Sequence, residues 1–177
     1  RGILGRARPA LPGRHKAWNA GAAGAALELR GHDAMAGAPA LATFRALPHR
    51  LRALGRRDGR QWVNDSISTT PEATLAALQS LPDGDVTVIV GGHDRGLDWS
   101  HFIDEVQRQA PALIITQGAN GPRIAAALRA PDYRGRLESP ADLAAPVYCA
   151  RAQPPAADTI LLSPRAPSFD PFLASAP

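Results

Sequence analysis

The sequence predicts an α/β fold, a mostly parallel sheet with flanking helices and one antiparallel hairpin strand. Three observations carry that prediction. Val86-Thr87-Val88-Ile89-Val90 and Ala112-Leu113-Ile114-Ile115-Thr116 are short unbroken apolar runs, the pattern of strands buried on both faces. Segments of ~10 residues with helical character alternate with such runs, which favours a parallel sheet. Asp58-Gly59 sits between two strand-like runs, and this pair favours a tight hairpin turn. Together they describe a Rossmann-like sheet.

The elements follow in order. Residues 1–14 are rich in Gly, Pro and Arg without a period, and read as irregular. Residues 15–30 are Ala-rich and free of proline, so a helix is expected, ended by Gly31. A second short helix is expected over 33–42, with Asp33 as its N-cap. Residues 51–55 and 60–63 form the hairpin. Residues 71–81 form a helix, with Thr70 as cap and Pro71 at its first position. The strand 86–90 stops at Gly91-Gly92. A helix over 99–109, the strand 112–116 and a helix over 122–129 come next. Val147-Tyr148-Cys149-Ala150 and Thr159-Ile160-Leu161-Leu162 are read as the last two strands. Residues 41–177 hold the α/β unit, and residues 1–40 precede it as a helical segment.

Composition narrows the function classes. With 45% hydrophobic and 20% charged residues, the chain has the make-up of a globular domain, not of a disordered one. A single cysteine, Cys149, excludes a disulfide framework within the chain and a multi-cysteine zinc site. No apolar stretch approaches the ~18 residues of a spanning helix, and no signal peptide is visible at Arg1. A cytoplasmic protein is expected, with no membrane partner. Residues 1–60 carry 12 basic and 3 acidic side chains, a local charge of +9, and the rest of the chain carries −5. The arginines are scattered among Ala and Gly without interleaved aromatics, so no nucleic-acid partner is expected. Lys16 is the one lysine beside 19 arginines, which reads as compositional bias.

In open parallel sheets ligands bind beyond the carboxyl ends of the strands. Four segments end there in polar or glycine-rich loops: Asn64-Asp65-Ser66-Ile67-Ser68-Thr69-Thr70, Gly91 to Gly96, Gln117 to Gly121, and Ser163 to Ser168. There is no phosphate-binding loop ending in Gly-Lys-Ser/Thr and no dinucleotide fingerprint. His93 and Asp94 lack a clustered second histidine, so no metal site is assigned. Ser163 and Ser168 lack the hydrolase elbow.

Five motifs, in order, resemble the Mur ligase family. Leu47-Pro48-His49-Arg50-Leu51, Asn64-Asp65-Ser66 with Thr69, the run from Pro71 to Leu78, Gly91-Gly92-x-Asp94-Arg95-Gly96-x-Asp98, and Leu162-Ser163-Pro164-x-Ala166-x-Ser168-Phe169 are similar to that family's third domain. Pro12-Gly13-Arg14-His15, with Asn19 and Ala22-Ala23, resembles the end of its central ATPase domain. The resemblance implies that residues 1–40 are the C-terminal part of an ATPase domain and that 41–177 is the amino-acid-binding domain, so the chain reads as a fragment, inactive alone. It implies ATP-dependent amide formation through an acyl phosphate, with ATP and Mg2+ held mainly by the ATPase domain. It implies UDP-N-acetylmuramoyl-L-alanine and glutamate as substrates in peptidoglycan precursor synthesis, by a monomer. His49, Arg50, Asn64 and Asp65 would contact the nucleotide. Thr69, Arg95 and Ser168 would bind glutamate. His15 and Asn19 would belong to the ATPase-domain remnant, and no catalytic residue would lie in this segment.

Two departures bear on specificity. Where the D-glutamate-adding branch reads Asn-Asp-Ser-Lys-Ala-Thr, Ile67 and Ser68 stand for Lys and Ala. Lys16 stands where an Asn is usual. The loops from Asn64 to Pro71, Gly91 to Trp99 and Gly118 to Ile124 look more like a branch that adds L-glutamate. A D-glutamate ligase, a folylpolyglutamate-synthase-like ligase and a stand-alone module that binds an acidic ligand without chemistry remain the alternatives.

Overall fold

The structure, a computed structural model, describes residues 14–44, 47–81, 86–130, 133–140, 145–152 and 158–164. The chain divides into two compact units, Arg1–Leu47 and Pro48–Pro177. In the first, α1 (Arg14–Leu29) ends where Gly31 N–H donates to the Glu28 carbonyl and His32 N–H to that of Leu27, a pair of bonds that satisfies otherwise orphaned carbonyls. Most of its described face is open: Trp18 is 66% exposed and Leu29 89%. α2 (Ala38–Thr43) starts later than the sequence suggests. Asp33 Oδ1 accepts from Met35 N at 2.8 Å and makes a separate turn, and Pro39 sets the helix start instead.

The second unit holds a six-stranded sheet in the order β1-β2-β6-β3-β4-β5. β1 (Arg52–Arg57) and β2 (Arg60–Asn64) form the antiparallel hairpin. Asp58 and Gly59 have φ of 53° and 77°, the doubly left-handed turn that matches strand twist. β3 (Val86–Gly91), β4 (Leu113–Gln117), β5 (Leu137–Glu138) and β6 (Thr159–Leu162) all run parallel to β2. The expected parallel sheet with one antiparallel edge is thus present. β5 has only two residues, too few for a sequence pattern.

Alternation along the strands sorts the core into two layers. Val86, Val88, Val90, Ile114, Leu161 and Val63 face α3 (Pro71–Leu78), α4 (Ser100–Arg108) and α5 (Gly121–Arg129) through Leu75, Phe102, Val106, Ile124 and Leu128. Ile89, Leu113, Ile115 and Ile160 face the other way, toward Ala150. Each large side chain fully buried here contributes roughly 1.5–3 kcal/mol. The helix ends follow local chemistry: Thr70 Oγ1 accepts from Ala73 N at 3.3 Å, and Pro71 opens α3.

Val147-Tyr148-Cys149-Ala150 is not a strand. It lies in α6 (Ala145–Ala152). The burial pattern explains why: Pro146 and Ala150, four apart, are buried, while Val147 and Tyr148 between them are exposed. Topology demands the helix as well. The chain must pass from β5 at the sheet edge back to β6 beside β3, and parallel strands need a crossover.

Candidate functional site

β2, β6, β3 and β4 deliver their carboxyl ends to one edge, and the loops there are tied to one another by hydrogen bonds. At the end of β2, Ser66 N donates to Asn64 Oδ1 at 3.0 Å. That bond fixes which end of the Asn64 amide is oxygen, so its Nδ2 faces His49 Nδ1 at 3.1 Å. His49 Nδ1 also lies 3.1 Å from Ser66 Oγ. An amide NH2 can only donate, so Nδ1 accepts and the ring proton sits on Nε2. His49 and Arg50 are exposed, and both present donors outward.

Asp65, by contrast, is 3% exposed. Its Oδ1 accepts from Leu51 N at 2.9 Å. Its Oδ2 accepts from Ser68 Oγ at 2.5 Å and from Ser163 Oγ at 3.3 Å. Ser163 Oγ is in turn 2.6 Å from Thr74 Oγ1 on α3. The turn held by Asp65 is strained: His49 and Leu51 have φ of 64° and 46°, a region that side-chain-bearing residues enter rarely.

The ends of β3 and β4 are pressed together. A Cβ on Gly91 would meet the Gln117 carbonyl oxygen at 2.0 Å, and one on Gly118 would meet Gly92 Cα at 2.6 Å. Only glycine permits that approach. Asn120, 1% exposed, completes the lock: its Oδ1 accepts from Gly92 N at 2.9 Å, and its own N–H donates to the Gly92 carbonyl. The loop beyond carries Arg95, which is exposed. Arg123 on α5 holds this loop through Asp94 Oδ1 at 2.9 Å and the Leu97 carbonyl at 3.2 Å. The Asp98 carboxyl is held below the usual carboxylate range by bonds from the Ser100 hydroxyl and amide. The Tyr133 hydroxyl is pushed up to about 12 by burial.

The expected site residues therefore fall as follows. His49, Arg50, Asn64, Asp65 and Thr69 share the β2 end, with Thr69 exposed. Arg95 lies beyond β3, across β6 from them. His15 and Asn19 are on α1, in the other unit. Ser168 lies outside the described residues. Ser163, Thr74, Ser68 and Asn120, which the motifs gave no role, turn out to brace the loops. Their sequence signals are membership of the quoted motifs and loops and position: each stands at or just past a strand end or on the next helix turn. Among the described residues no three His, Cys, Asp or Glu side chains gather as for a metal ion. No described helix is long and apolar enough to cross a membrane.

Residues 49–166 match the family model described as Mur ligase, glutamate ligase domain. The UDP-N-acetylmuramoyl-L-alanine--L-glutamate ligase of Xanthomonas euvesicatoria pv. vesicatoria is 51% identical over 162 residues, which is 90% of this chain and 35% of that protein. The UDP-N-acetylmuramoylalanine--D-glutamate ligase of Symbiobacterium thermophilum is 36% identical over 92% of this chain and 35% of its own length. A pseudomurein peptide ligase type C from Methanothermus fervidus shares the fold, with a TM-score of 0.71 at 14% identity over 95% of this chain and 38% of that one. The chain thus spans about a third of the length of the curated relatives it matches. Matching the glutamate ligase domain over most of its length, the chain belongs to the Mur ligase family.

Proposed function

We propose that the protein containing this chain joins L-glutamate to UDP-N-acetylmuramoyl-L-alanine with hydrolysis of ATP, in the cytoplasm and as a monomer. The observation that carries the reading is 51% identity, across 90% of the chain, to a ligase named for that reaction. In the proposed chemistry the substrate carboxylate takes the γ-phosphoryl group of ATP, giving an acyl phosphate and ADP. The glutamate amine then attacks the acyl carbon, phosphate leaves and the amine proton is lost. Residues 41–177 serve as the domain that presents glutamate, and residues 1–40, with His15 and Asn19, as the end of an ATPase domain that holds most of the ATP and its Mg2+.

The carboxyl-edge geometry supports this assignment. His49 Nε2–H, Arg50 and the Asn64 amide are donors suited to a nucleotide, with Asp65 fixed behind them. Glutamate brings two carboxylates, for which Arg95 and the Thr69 hydroxyl are exposed donors; Ser168 joins them in the proposal. Ile67, 49% exposed, offers no charge where the D-adding branch has lysine. Losing a charge-assisted bond costs ~1.5–3 kcal/mol, so glutamate must be held differently. The choice of the L-enantiomer over the D-adding alternative rests on the resemblance to the L-glutamate-adding branch, with which the changed donor set is consistent.

The test is amide formation by the full-length protein with ATP, UDP-N-acetylmuramoyl-L-alanine and each glutamate enantiomer in turn. Turnover with L-glutamate is expected. Preference for D-glutamate would overturn the stereochemical assignment, and binding of glutamate without ATP turnover would favour the non-catalytic module.

A further inference from the structure

The buried hydroxyls behind Asp65 are given no individual role by the motifs that contain them, yet they form a connected relay across three segments. Thr74, 0% exposed, stands on α3. Its Oγ1 is 2.6 Å from the Oγ of Ser163, also 0% exposed, just past β6. Ser163 donates its one proton to Asp65 Oδ2, and the Thr74 hydroxyl faces both Ser163 Oγ at 2.6 Å and the Ser163 carbonyl oxygen at 3.4 Å, so its proton points at Ser163. Ser68, 8% exposed, donates to the same Oδ2. With Oδ2 gripped by two hydroxyls, rotation of the carboxylate is blocked and Oδ1 stays on Leu51 N at 2.9 Å. Leu51 and His49, the two residues flanking Arg50, are the ones with left-handed φ. A turn with two such residues is strained and persists only while its surroundings enforce it.

We propose that Ser163 is a positioning residue for the nucleotide side of the site. It acts through Asp65 to hold the strained 49–51 turn, and so aims His49 Nε2–H and Arg50 at ATP. Thr74 orients Ser163, and Ser68 shares its load. This rests on the ligase reading above, but it predicts a split that the reading alone does not. Removing the Ser163 hydroxyl loosens the nucleotide donors but keeps what holds the Arg95 loop: the backbone bonds of Ser163 N–H to the Ile89 carbonyl and of Gly91 N–H to the Pro164 carbonyl, and the braces from Asn120 and Arg123.

The experiment uses the full-length protein and compares wild type with Ser163→Ala, Thr74→Val, their double variant and Thr74→Ser. ATP binding is measured by titration calorimetry, and KM for ATP and for glutamate by turnover. Ser163→Ala is expected to weaken ATP binding and raise its KM by about five- to tenfold, with KM for glutamate within about twofold of wild type. Thr74→Val should do the same to a smaller extent, Thr74→Ser should restore wild-type values, and the Ser163→Ala and Thr74→Val effects should be non-additive. Equal rises in both KM values, or lower melting temperature with unchanged ATP binding, would overturn the proposal. Should Ser163→Ala fail to fold, the Thr74 pair decides it. A wild type that binds ATP but forms no amide would sink the ligase reading alone, with the binding ratios still judging the relay. A wild type that binds no ATP would sink both.

Discussion

Gly91 shows how a single residue can decide whether the site edge forms at all. An added Cβ would sit 2.0 Å from the Gln117 carbonyl oxygen at a φ of 116°, so neither the backbone nor its neighbour can yield cheaply. Gly91→Ala should destabilise the domain by more than about 2 kcal/mol, read as a lower denaturation midpoint in urea. Tyr133 makes the opposite case. Its hydroxyl is buried without a partner among the described residues. Tyr133→Phe removes an unsatisfied polar group and should leave stability equal or raise it by up to about 1 kcal/mol in the same urea titration. The hydroxyl also titrates near 12 when folded, against 10 when unfolded. Between those values the unfolded chain has already released the proton that the folded one retains. The penalty for ionising this group in the fold is therefore absent below pH 10, and stability falls as pH rises from 10 toward 12. Alkaline unfolding should be shallower in Tyr133→Phe, and equal slopes would refute the assignment. At this scale the sequence was legible where chemistry is local. His49, Asn64 and Asp65 stand in one short motif set, and they do meet. Ser163 and Thr74 stand in the motifs, but their pairing was not legible, because their partners lie 89 or more residues away in the chain, which no local pattern encodes.

Elements were legible in proportion to their length and their periodicity. The strands over 86–91 and 113–117 are buried along nearly their whole length and announce themselves as apolar runs. Val147-Tyr148-Cys149-Ala150 has the same residue types but the wrong surroundings. Strand propensity there yields to a tertiary requirement, the crossover from β5 to β6. α6 is then held by Arg60 on β2, which is 7% exposed and whose Nη1 donates to the Ala150 carbonyl at 2.5 Å and to that of Arg151 at 3.2 Å. Those carbonyls lie in the last turn of the helix, where intrahelical donors run out and a cation is favourable. Arg60→Ala should cost about 1.5–3 kcal/mol. The Arg151–Asp58 pair at 3.0 Å joins α6 to the neighbouring β1–β2 turn but is half exposed on both sides, so Asp58→Asn should cost less than about 1 kcal/mol there. Parallel urea titrations of the two variants check the ranking. If Asp58→Asn proves the more damaging, the buried guanidinium does not anchor α6.

For the whole molecule, the decisive feature is where β6 lies. Among the described strands it comes last in the chain, yet it occupies the middle of the sheet, with β2 on one side and β3 on the other. Among the described strands, β2 and β3 join the same sheet through β6, with which both pair. A chain ended after residue 157 should lose its cooperative thermal transition, followed by circular dichroism, instead of merely fraying at one edge. A two-state melt near the wild-type temperature would show that the sheet closes without β6. The overall α/β class was readable from alternation, but this strand order was not, because sequence patterns give each strand's burial and not its neighbour. The order also bears on how the protein is made. A ribosome releases the hairpin first and the β3-β4-β5 half later, and neither can pair with the other until residues 159–162 emerge. Until then Val88, Ile89 and Val63 belong to two open-edged halves with exposed apolar strands, the kind of nascent species that invites aggregation and chaperone capture. Closure of this sheet is thus bound to the emergence of β6, and slowing translation ahead of β6 should lengthen the period of vulnerability.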